Sequence, residues 1–327
     1  MITYRKANPE DIRPAQALAD KVWNEVVMPE MDEEEQNGYR RFAGEANYEE
    51  RVEQYKSGKR SMDIAASGDK IVGIAGIDDE KGYVRQLFVD ENYHRRGIAT
   101  ELLHRMVCEL ALKGFNVIKL NSSRYALPFY EKFGFTQTGP EQKHERGFVY
   151  IPMEYKPNEI WDVLDAGGNK TGRFHERGRT MAIDDCHLIV HVWKHNGKGE
   201  WLIDKRANRG ESLDGKWETT GGSAVAGDDS LTAALREAKE ELGLDLDPKK
   251  GVLFQRVLRR EKDERLWLVD AWVFEHDCLL DDVRFQESET CDVMWATADK
   301  IREMMATDEF LSERFYPYFD EMMEKWR

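Results

Sequence analysis

The 327-residue chain lacks any long apolar stretch: no hydrophobic run approaches the length of a membrane-spanning helix, and Met1 to Ala7 has no apolar leader segment. Cysteine is also scarce. The chain has four cysteines, which form no Cys-x-x-Cys pair and no Cys/His cluster with zinc spacing: Cys108, Cys186, Cys278 and Cys291. These absences predict a cytoplasmic protein with reduced thiols, no structural zinc and no membrane partner.

Positive charge is in deficit as well. The 48 lysine and arginine residues face 63 aspartate and glutamate residues, so the formal net charge is −15. Duplex recognition draws most of its affinity from cations that neutralise phosphates, so this balance disfavours a nucleic-acid partner. An acidic surface suits solubility, and it also suits a metal-using enzyme. With 41% hydrophobic residues, the chain is long enough for two globular cores.

Strand and helix patterns alternate along the whole chain, which predicts the α/β (α+β) fold class. In the second half, a glutamate-rich helix is predicted over 230–242, and two further helices are predicted over 298–305 and 310–326. Between the halves, Pro157 disfavours helix continuation, and the pattern restarts after it. We therefore predict a linker at 155–159 and two domains, 1–155 and 159–327.

A strand-turn-helix segment in the first domain, Leu87 to Thr100, has the features of a diphosphate-binding helix start. Such a start offers unpaired backbone N–H groups and the positive end of the helix dipole. Gly97 and the small Ala99 let an anion approach the backbone, and Arg95 and Arg96 add positive charge. A basic helix start with a turn glycine has the same features, so the segment alone leaves both interpretations open.

Within this segment, His94-Arg95-Arg96-Gly97-Ile98-Ala99 resembles the acetyl-CoA-binding motif of the GNAT acetyltransferases, Gln/Arg-x-x-Gly-x-Gly/Ala, with His94 as a departure at the first position. Downstream, Ala126 to Phe135 resembles the family's Ala-x-x-Phe-Tyr-x-Lys-x-Gly-Phe element. The resemblance covers 1–155 and implies a mixed sheet flanked by helices, with acetyl transfer from acetyl-CoA to an amine. It also implies that acetyl-CoA is bound by Leu87, Phe88, Val89, His94, Arg95, Arg96, Gly97, Ile98, Ala99 and Thr100.

The resemblance further assigns Tyr130 as the acid that protonates the departing thiolate, a role that suits a weakly acidic phenol. The alternative for Tyr130 is an aromatic packing role. The base on the amine side is not identified, because Arg85 and Gln86 stand where many relatives have a carboxylate; water or Asp90 would have to serve. The acid-rich stretch Glu30 to Glu35 falls where the family builds acceptor sites, and we expect a solvated helix face there.

The strongest pattern is a Gly221-Gly222 pair followed by a glutamate-rich helix. Residues three or four apart share a helix face, so Glu237, Glu240 and Glu241 are predicted to project together. Like charges at this spacing destabilise a bare helix, whereas Mg²⁺ or Mn²⁺ would neutralise them through oxygen ligands. An exposed acidic helix face explains the glutamates but not the double glycine.

The same pattern resembles the Nudix box, G-x5-E-x7-R-E-U-x-E-E-x-G-U, where U is a bulky aliphatic residue. Asp228 departs from the box as a shorter carboxylate, and Ala238 departs as a smaller packing residue. The resemblance covers 159–327 and implies an α/β/α sandwich that hydrolyses a diphosphate linkage in a nucleoside-diphosphate-linked compound. The matching residues are Gly222, Arg236, Glu237, Glu240, Glu241, Gly243 and Leu244.

By this resemblance, Glu237 is a ligand or base, and Arg236 orients the carboxylates through charge-assisted hydrogen bonds. Glu289 matches an extra ligand or base outside the box, with a surface-loop acid as an equal alternative. The metal ligands implied are Glu240, Glu241 and the carbonyl group of Gly222.

Residues 159–164 and 200–206 resemble the Nudix branch that contains isopentenyl-diphosphate isomerase. The isomerase needs a cysteine just before the box, where this chain has Trp217-Glu218-Thr219-Thr220, so isomerase activity is rejected. His187 and His191 lie on one predicted strand and are expected to be structural.

Three hypotheses for the whole chain follow. The first is two active enzymes that act on small molecules. The second is an active hydrolase whose first domain is an acyl-CoA-binding sensor; Tyr130 and Gly97 argue mildly against it. The third is a Nudix binding module, which the intact Arg236-Glu237 and Glu240-Glu241 positions disfavour. The oligomeric state is not predicted.

Overall fold

The computed structural model describes residues 1–43, 45–210, 212–260 and 266–326. The chain divides into two compact units, Met1–Ile160 and Trp161–Arg327, and the expected linker lies next to this division. Both units combine strands and helices, which confirms the predicted α/β (α+β) class. Within the described ranges, no helix has both the length and the apolar character needed to cross a membrane.

The first unit is a mixed sheet with helices on both faces. Its strands are β1 (Ile2–Lys6), β2 (Arg60–Ser67), β3 (Lys70–Asp78), β4 (Tyr83–Val89), β5 (Ile118–Ser122), β6 (Thr136–Gln137), β7 (Gln142–Lys143) and β8 (Val149–Tyr155). Its α-helices are α1 (Ile12–Val22), α2 (Glu33–Ala43), α3 (Glu45–Lys56), α4 (Ile98–Leu112) and α5 (Leu127–Phe133). The strand order is β1-β2-β3-β4-β5-β8-β6, and β7 pairs with β8.

Local sequence explains several of these boundaries. The Asn8 main-chain N–H donates to the Asp11 carboxylate at 2.7 Å, and Pro9 follows as the first residue of the helical turn that leads into α1. Gly68, with φ of +60°, lets a two-residue turn join β2 to β3 and pair Ser67 with Lys70. Strands β2 and β3 therefore form a β-hairpin.

Side chains point alternately to the two faces of this sheet, so the sheet has a hydrophobic core on each face. Ile64 on β2 packs with Ala15 and Val22 of α1, whereas its neighbour Ala65 packs with Leu102 of α4. Successive side chains of a strand point to opposite faces, so α1 and α4 cover opposite sides of the sheet. This is the flanked mixed sheet that the sequence predicts.

Strands β4 and β5 run parallel but are paired only where both begin. The pairs are Tyr83 with Lys119 and Val84 with Leu120. Beyond them, β4 continues beside β3, where Phe88 pairs with Ile74 and Val89 with Gly73. The second half of β4 is therefore left without a partner on its β5 side among the described strand pairs.

The second unit holds a second mixed sheet between helices. Its strands are β9 (Ile160–Leu164), β10 (Lys170–Glu176), β11 (Leu188–His195), β12 (Glu200–Arg206), β13 (Trp217–Glu218), β14 (Gly221–Ser223), β15 (Gly251–Arg260), β16 (Leu266–Glu275) and β17 (Thr290–Thr297). Its α-helices are α6 (Ser230–Leu242), α7 (Ala298–Ala306) and α8 (Phe319–Lys325). The main order is β13-β12-β11-β16-β15; β14 adds to β11, β17 adds to β12, and β9 and β10 form a separate pair.

Side-chain alternation again defines the layers. Val192 of β11 and Leu202 of β12 pack beneath α6, whereas Trp193 and Trp201 pack with α7 and α8. The sheet therefore lies between α6 on one face and α7 and α8 on the other. This arrangement confirms the three-layer sandwich expected for the second domain.

The C-terminal helix is shorter than predicted. Instead of the helix expected over 310–326, α8 covers only Phe319–Lys325. Pro317 has no N–H and disfavours a helix through its position. Upstream of it, Leu311 donates its N–H to the Trp217 carbonyl at 2.9 Å, so this stretch pairs beside β13 instead.

The start of α6 gives a first testable prediction. The Asp229 carboxylate accepts the Thr232 N–H at 2.7 Å, so Asp229→Ala should lower the free energy of unfolding by about 1 kcal/mol. The backbone hydrogen bond from Thr232 lowers the pKa of Asp229. The capping contribution is therefore complete above the ordinary carboxyl pKa and is lost as pH falls through the lower pKa of the folded protein.

Urea denaturation of both proteins at neutral pH, and then at successively lower pH, checks this prediction. Asp229→Ser retains a capping oxygen and serves as the control. Equal stability of wild type and Asp229→Ala at neutral pH would contradict it.

Candidate functional sites

A cavity of about 1090 Å³ opens in the first unit, with its wall formed by β4, β5, the start of α4 and α5. Tyr130 lines this cavity. So do nine of the ten residues expected to bind the cofactor: Leu87, Phe88, Val89, His94, Arg95, Gly97, Ile98, Ala99 and Thr100. The structure therefore gathers the unpaired half of β4, the helix start and the predicted acid around one space.

The turn before α4 has an unusual backbone. Gly97 adopts φ of +77°, and Arg95 adopts φ of +59°, a left-handed conformation that is uncommon outside glycine. Such conformations often occur at binding sites, where the surrounding structure maintains them. A Cβ atom at Gly97 would meet nothing within 4 Å, so the backbone at this helix start is open to a ligand.

His94 and Arg96 have local partners in this turn. The His94 Nε2 atom lies 2.8 Å from the Val89 carbonyl oxygen, so the imidazole ties the turn to the end of β4. Arg96 donates to the Asn92 carbonyl at 3.2 Å, and its guanidinium lies 5.0 Å from the centre of the Tyr93 ring. Arg96 is the one expected cofactor residue that is absent from the described cavity wall.

Tyr130 is positioned by aromatic packing at the N-terminal part of α5. Its ring meets those of Phe129 and Phe135 edge-on, at centroid distances of 5.3 and 5.7 Å. The side chain is 7% exposed, and burial raises the pKa of its phenol well above the ordinary value. The phenol therefore keeps its proton at neutral pH and can donate it within the cavity.

The carboxylate of Asp90, one of the alternatives for the amine-side base, is already paired with lysines and a backbone N–H group. Its buried carboxylate accepts from Lys70 Nζ at 3.0 Å and from the Asn92 N–H at 3.1 Å, and Lys21 lies 3.6 Å away. Burial acts to raise the pKa of Asp90, but the hydrogen bonds and the lysine charge outweigh it and hold the pKa well below the usual range. Asp90 also lies outside the cavity lining, so this carboxylate is not placed to act as a base there.

The acid-rich stretch is only partly the solvated face that we expected. Glu33 and Glu34 are exposed at the start of α2, as predicted. Glu35 is buried instead, because it accepts from Arg124 Nη2 at 3.1 Å and from the Asp32 N–H at 3.1 Å. This carboxylate therefore joins the start of α2 to the segment before α5.

In the second unit, Gly222 and Glu237 are packed directly against each other. Gly222 lies on β14, and Glu237 projects from α6 with a residue exposure of 8%. A Cβ atom at Gly222 would come within 2.4 Å of the Glu237 carboxyl carbon. The second glycine of the pair is therefore required for the carboxylate of Glu237 to reach the backbone of the loop.

Arg236 gathers the acidic groups around this contact. Its guanidinium lies 2.9 Å from Glu237, 2.8 Å from Glu240 and 3.1 Å from Asp228. It also donates to the Ser223 carbonyl at 2.9 Å. Arg236 thus contacts two of the three glutamates that it is predicted to orient, and Asp228, the shorter carboxylate in the box, still reaches it.

The sheet supplies two more carboxylates, which the sequence analysis missed. Asp204 on β12 pairs in register with Glu218 on β13, so both side chains leave the sheet on the same face. Asp204 shares that face with Leu202, which packs beneath α6. The signal available in the sequence was that Asp204 directly follows three apolar residues, Trp201, Leu202 and Ile203.

These carboxylates share a crowded space with the helix. Burial, followed by the charge of Asp204, raises the pKa of Glu218 to about 8. Burial and the charges of Asp204, Glu218 and Glu237 also raise the pKa of Glu241 well above its ordinary value. Repulsion between neighbouring carboxylates contributes to both shifts, and a divalent cation would relieve it.

Glu289 lies on the loop that precedes β17. The Gln286 N–H of this loop donates to the Glu241 carbonyl at 3.0 Å, so the loop runs beside the end of α6. The Glu289 carboxylate itself accepts from Arg209 Nη1 at 2.7 Å. Its role as an extra ligand or base stays a prediction.

The donor set suits a hard divalent cation, because it consists of oxygen ligands with repelling charges. In the part of the chain that the structure describes, however, no three His, Cys, Asp or Glu side chains already stand in the geometry of a metal site. Arg236 instead holds Glu237 and Glu240 through the contacts above.

The two histidines expected to be structural lie in aromatic packing. The His191 Nδ1 atom lies 2.6 Å from the Tyr318 hydroxyl oxygen, and burial lowers the pKa of His191 to about 3. His187 stacks on Trp161 with 4.0 Å between ring centres.

Comparison with known proteins finds matches to both halves of the chain. A family model described as an acetyltransferase (GNAT) domain matches residues 27–157, and a NUDIX domain model matches residues 186–319. An uncharacterized Nudix hydrolase of Listeria innocua is 34% identical over 162 residues, which cover 49% of this chain and 90% of that protein.

Two further relatives match shorter segments. The uncharacterized N-acetyltransferase YafP of Escherichia coli is 40% identical over 78 residues, or 23% of this chain and 48% of that protein. An isopentenyl-diphosphate Delta-isomerase of Shigella flexneri is 29% identical over 91 residues, or 28% of this chain and 50% of that protein. The chain therefore spans about half the length of each of these two relatives.

The Gly222–Glu237 contact generates a second prediction. Gly222→Ala should destabilise the second unit by about 2 kcal/mol, because the new methyl group would overlap the Glu237 carboxylate. In a Glu237→Ala background the overlapping group is gone, so the same glycine substitution should cost clearly less. Chemical denaturation of the wild type, the two single variants and the double variant measures this coupling. Additive losses would show that the two residues do not determine each other's position.

Proposed function

Because the chain belongs to the Nudix hydrolases through its second domain and carries a GNAT acetyltransferase domain before it, we propose that it is a bifunctional enzyme. The first activity is acetyl transfer from acetyl-CoA to an amine. The second is Mg²⁺- or Mn²⁺-dependent hydrolysis of a diphosphate linkage in a nucleoside-diphosphate-linked compound. Its partners are then small molecules rather than nucleic acids or membranes.

The cavity in the first unit is the observation that supports acetyl transfer. Its wall combines the unpaired half of β4, the open backbone at Gly97 and the Tyr130 phenol. In the proposed complex, backbone groups of Leu87, Phe88 and Val89 pair with the pantetheine arm, and the start of α4 holds the diphosphate. The thioester then lies on the path between the helix start and Tyr130.

Transfer in this geometry needs one proton donor from the protein. A neutral amine forms the new C–N bond with the thioester carbonyl, and the C–S bond breaks as the Tyr130 hydroxyl gives its proton to the departing sulfur. The excess proton on the nitrogen passes to water, and the phenolate regains a proton from solvent. Burial of Tyr130 favours the protonated phenol at the start of each cycle.

For hydrolysis, the supporting observation is the contact of Glu237 with Gly222 beneath Arg236. In the proposed site, Glu240, Glu241 and the Gly222 carbonyl would hold the metal, and Glu237 would be a further ligand or would take the proton of the attacking water. Such a cation would supply Lewis acidity for that water and positive charge for the departing phosphate. Arg236 keeps the carboxylates aligned, and Glu289 is the further candidate ligand or base.

Tyr130→Phe tests the acetyltransferase assignment. We expect kcat for acetyl transfer to fall by about tenfold or more, because the variant has no phenolic proton to donate. The dissociation constant of acetyl-CoA should stay the same, since the phenyl ring is retained. Initial rates with a panel of amines, together with calorimetric binding of acetyl-CoA, measure both quantities.

Tyr4→Phe is the matched control for this experiment, because Tyr4 packs against the same core but does not line the cavity. Unchanged turnover of Tyr130→Phe would remove Tyr130 as the acid. Tight acetyl-CoA binding by the wild type without transfer to any amine would instead support the sensor hypothesis.

Glu240→Gln tests the hydrolase assignment. Loss of one charged ligand should reduce Mg²⁺-dependent cleavage by about a hundredfold or more, while acetyl transfer stays intact. Phosphate or nucleotide release from nucleotide sugars, dinucleotides and nucleoside triphosphates measures the activity. Glu303→Gln on α7 is a suitable control, because Glu303 pairs with Lys300 at 2.9 Å much as Glu240 pairs with Arg236. Full activity of Glu240→Gln would refute this metal ligand.

A further inference from the structure

A lysine is completely buried beneath the carboxylates of the second unit. Lys194 lies on β11, and none of its surface is exposed. Lysine is almost never fully buried without a partner, because removing an ammonium group from water costs several kcal/mol. The position of Lys194 therefore needs a compensating interaction.

That interaction runs through a threonine hydroxyl to an aspartate. Lys194 Nζ donates to Thr220 Oγ1 at 2.5 Å, and the Thr220 hydroxyl donates to Asp204 Oδ1 at 2.8 Å. Thr220 is as completely buried as the lysine, and Asp204 is almost so. The hydroxyl can accept one hydrogen bond and donate another, so it links the two charges in a defined order.

The register of the sheet places the link from Lys194 to Asp204 on the face that α6 covers. Lys194 alternates with Val190 and Val192, and both of these valines pack beneath α6. Asp204 lies on the same face and is paired in register with Glu218. The positive charge of Lys194 thus lies in the sheet under the carboxylates that face α6.

We propose that Lys194 is the built-in counter-ion of the metal site. Through Thr220 and Asp204, its ammonium group balances the carboxylates that the sheet and α6 bring together, and it keeps them assembled when no divalent ion is bound. This inference rests on the proposed hydrolase function. Lys194 acts as a positioning residue, because it is fully buried and reaches the carboxylates only through Thr220 and Asp204.

A counter-ion of the metal site and a purely structural ion pair would affect stability and metal binding differently. A structural pair stabilises the protein equally with and without metal. A counter-ion interacts with the same carboxylates as the metal, so the two cations partly replace each other. Removing Lys194 should therefore lower the folding stability of the metal-free protein more than that of the metal-bound protein. It should also strengthen divalent-ion binding, because a charge that repels the metal ion is lost.

Lys194→Met in the full chain tests this proposal, since methionine keeps an unbranched chain without the charge. The melting temperature is measured in EDTA and in saturating Mn²⁺, and the Mn²⁺ dissociation constant is measured by calorimetry. We expect a larger loss of melting temperature in EDTA than in Mn²⁺, and a dissociation constant that falls by about fivefold. Equal losses in both conditions, or unchanged or weaker Mn²⁺ binding, would overturn the proposal.

Thr219→Val is the matched control. Thr219 is the buried neighbour of Thr220, and its hydroxyl donates to the Val192 carbonyl at 2.7 Å, outside the link to Asp204. This variant should lower the melting temperature equally in EDTA and Mn²⁺. If the loss of melting temperature differed between EDTA and Mn²⁺ as much in Thr219→Val as in Lys194→Met, this would also count against the counter-ion role.

A second pair of variants covers the case in which Lys194→Met does not fold in either condition. Thr220→Val removes the hydroxyl link and retains the lysine, whereas Thr220→Ser keeps the hydroxyl. Mn²⁺ should raise the melting temperature of the valine variant by more than it raises that of the wild type. For the serine variant, the rise should equal that of the wild type. Identical Mn²⁺ stabilisation in both variants would refute the link.

The wild type separates this inference from the function on which it rests. If the wild type neither binds Mn²⁺ nor cleaves any diphosphate compound, the hydrolase assignment itself fails. If the wild type does both, and Lys194→Met responds to Mn²⁺ just as the wild type does, only the counter-ion role is lost.

Discussion

Repulsion among carboxylates that are buried or half-buried is the constraint on which the second unit depends. Asp204 and Glu218 come from the sheet, and Glu237 and Glu241 come from α6. Two cations hold this group together from different sides: Arg236 from the helix and Lys194 from within the sheet. Since buried charges are stable only when they are paired, the placement of these cations determines which carboxylate oxygens stay available to a metal ion.

The same requirement explains details of the backbone around the box. Glu237 can lie among the other acids because Gly222 leaves space for its carboxylate. The helix that carries it begins at a capping aspartate and ends at Gly243, whose φ of +70° suits a left-handed terminus. In the first unit, Gly97 has a comparable function, because its open, left-handed backbone leaves the start of α4 accessible.

Sequence pattern was sufficient for the fold class and for the helix that carries the glutamates, but not for the extent of the C-terminal helix. The face shared by Glu237, Glu240 and Glu241 follows from helical spacing, and the helix start at Gly97 follows from its motif. Spacing could not reveal Lys194 or Glu218, because their importance comes from strand pairing between distant segments. Glu35 was misjudged for a similar reason: its partner Arg124 is remote in sequence.

Burial favours the protonation state that is needed in the first site and disfavours the one that is needed in the second. At Tyr130, loss of solvent keeps the phenol protonated, which is the form that a proton donor needs, so no compensating cation is required. At Glu218 and Glu241, loss of solvent favours the neutral acid, which is the wrong form for binding a metal. An apolar aromatic setting therefore suffices for the first site. The second needs positive charge close to its acids, and Arg236 and the link from Lys194 to Asp204 are placed to supply it.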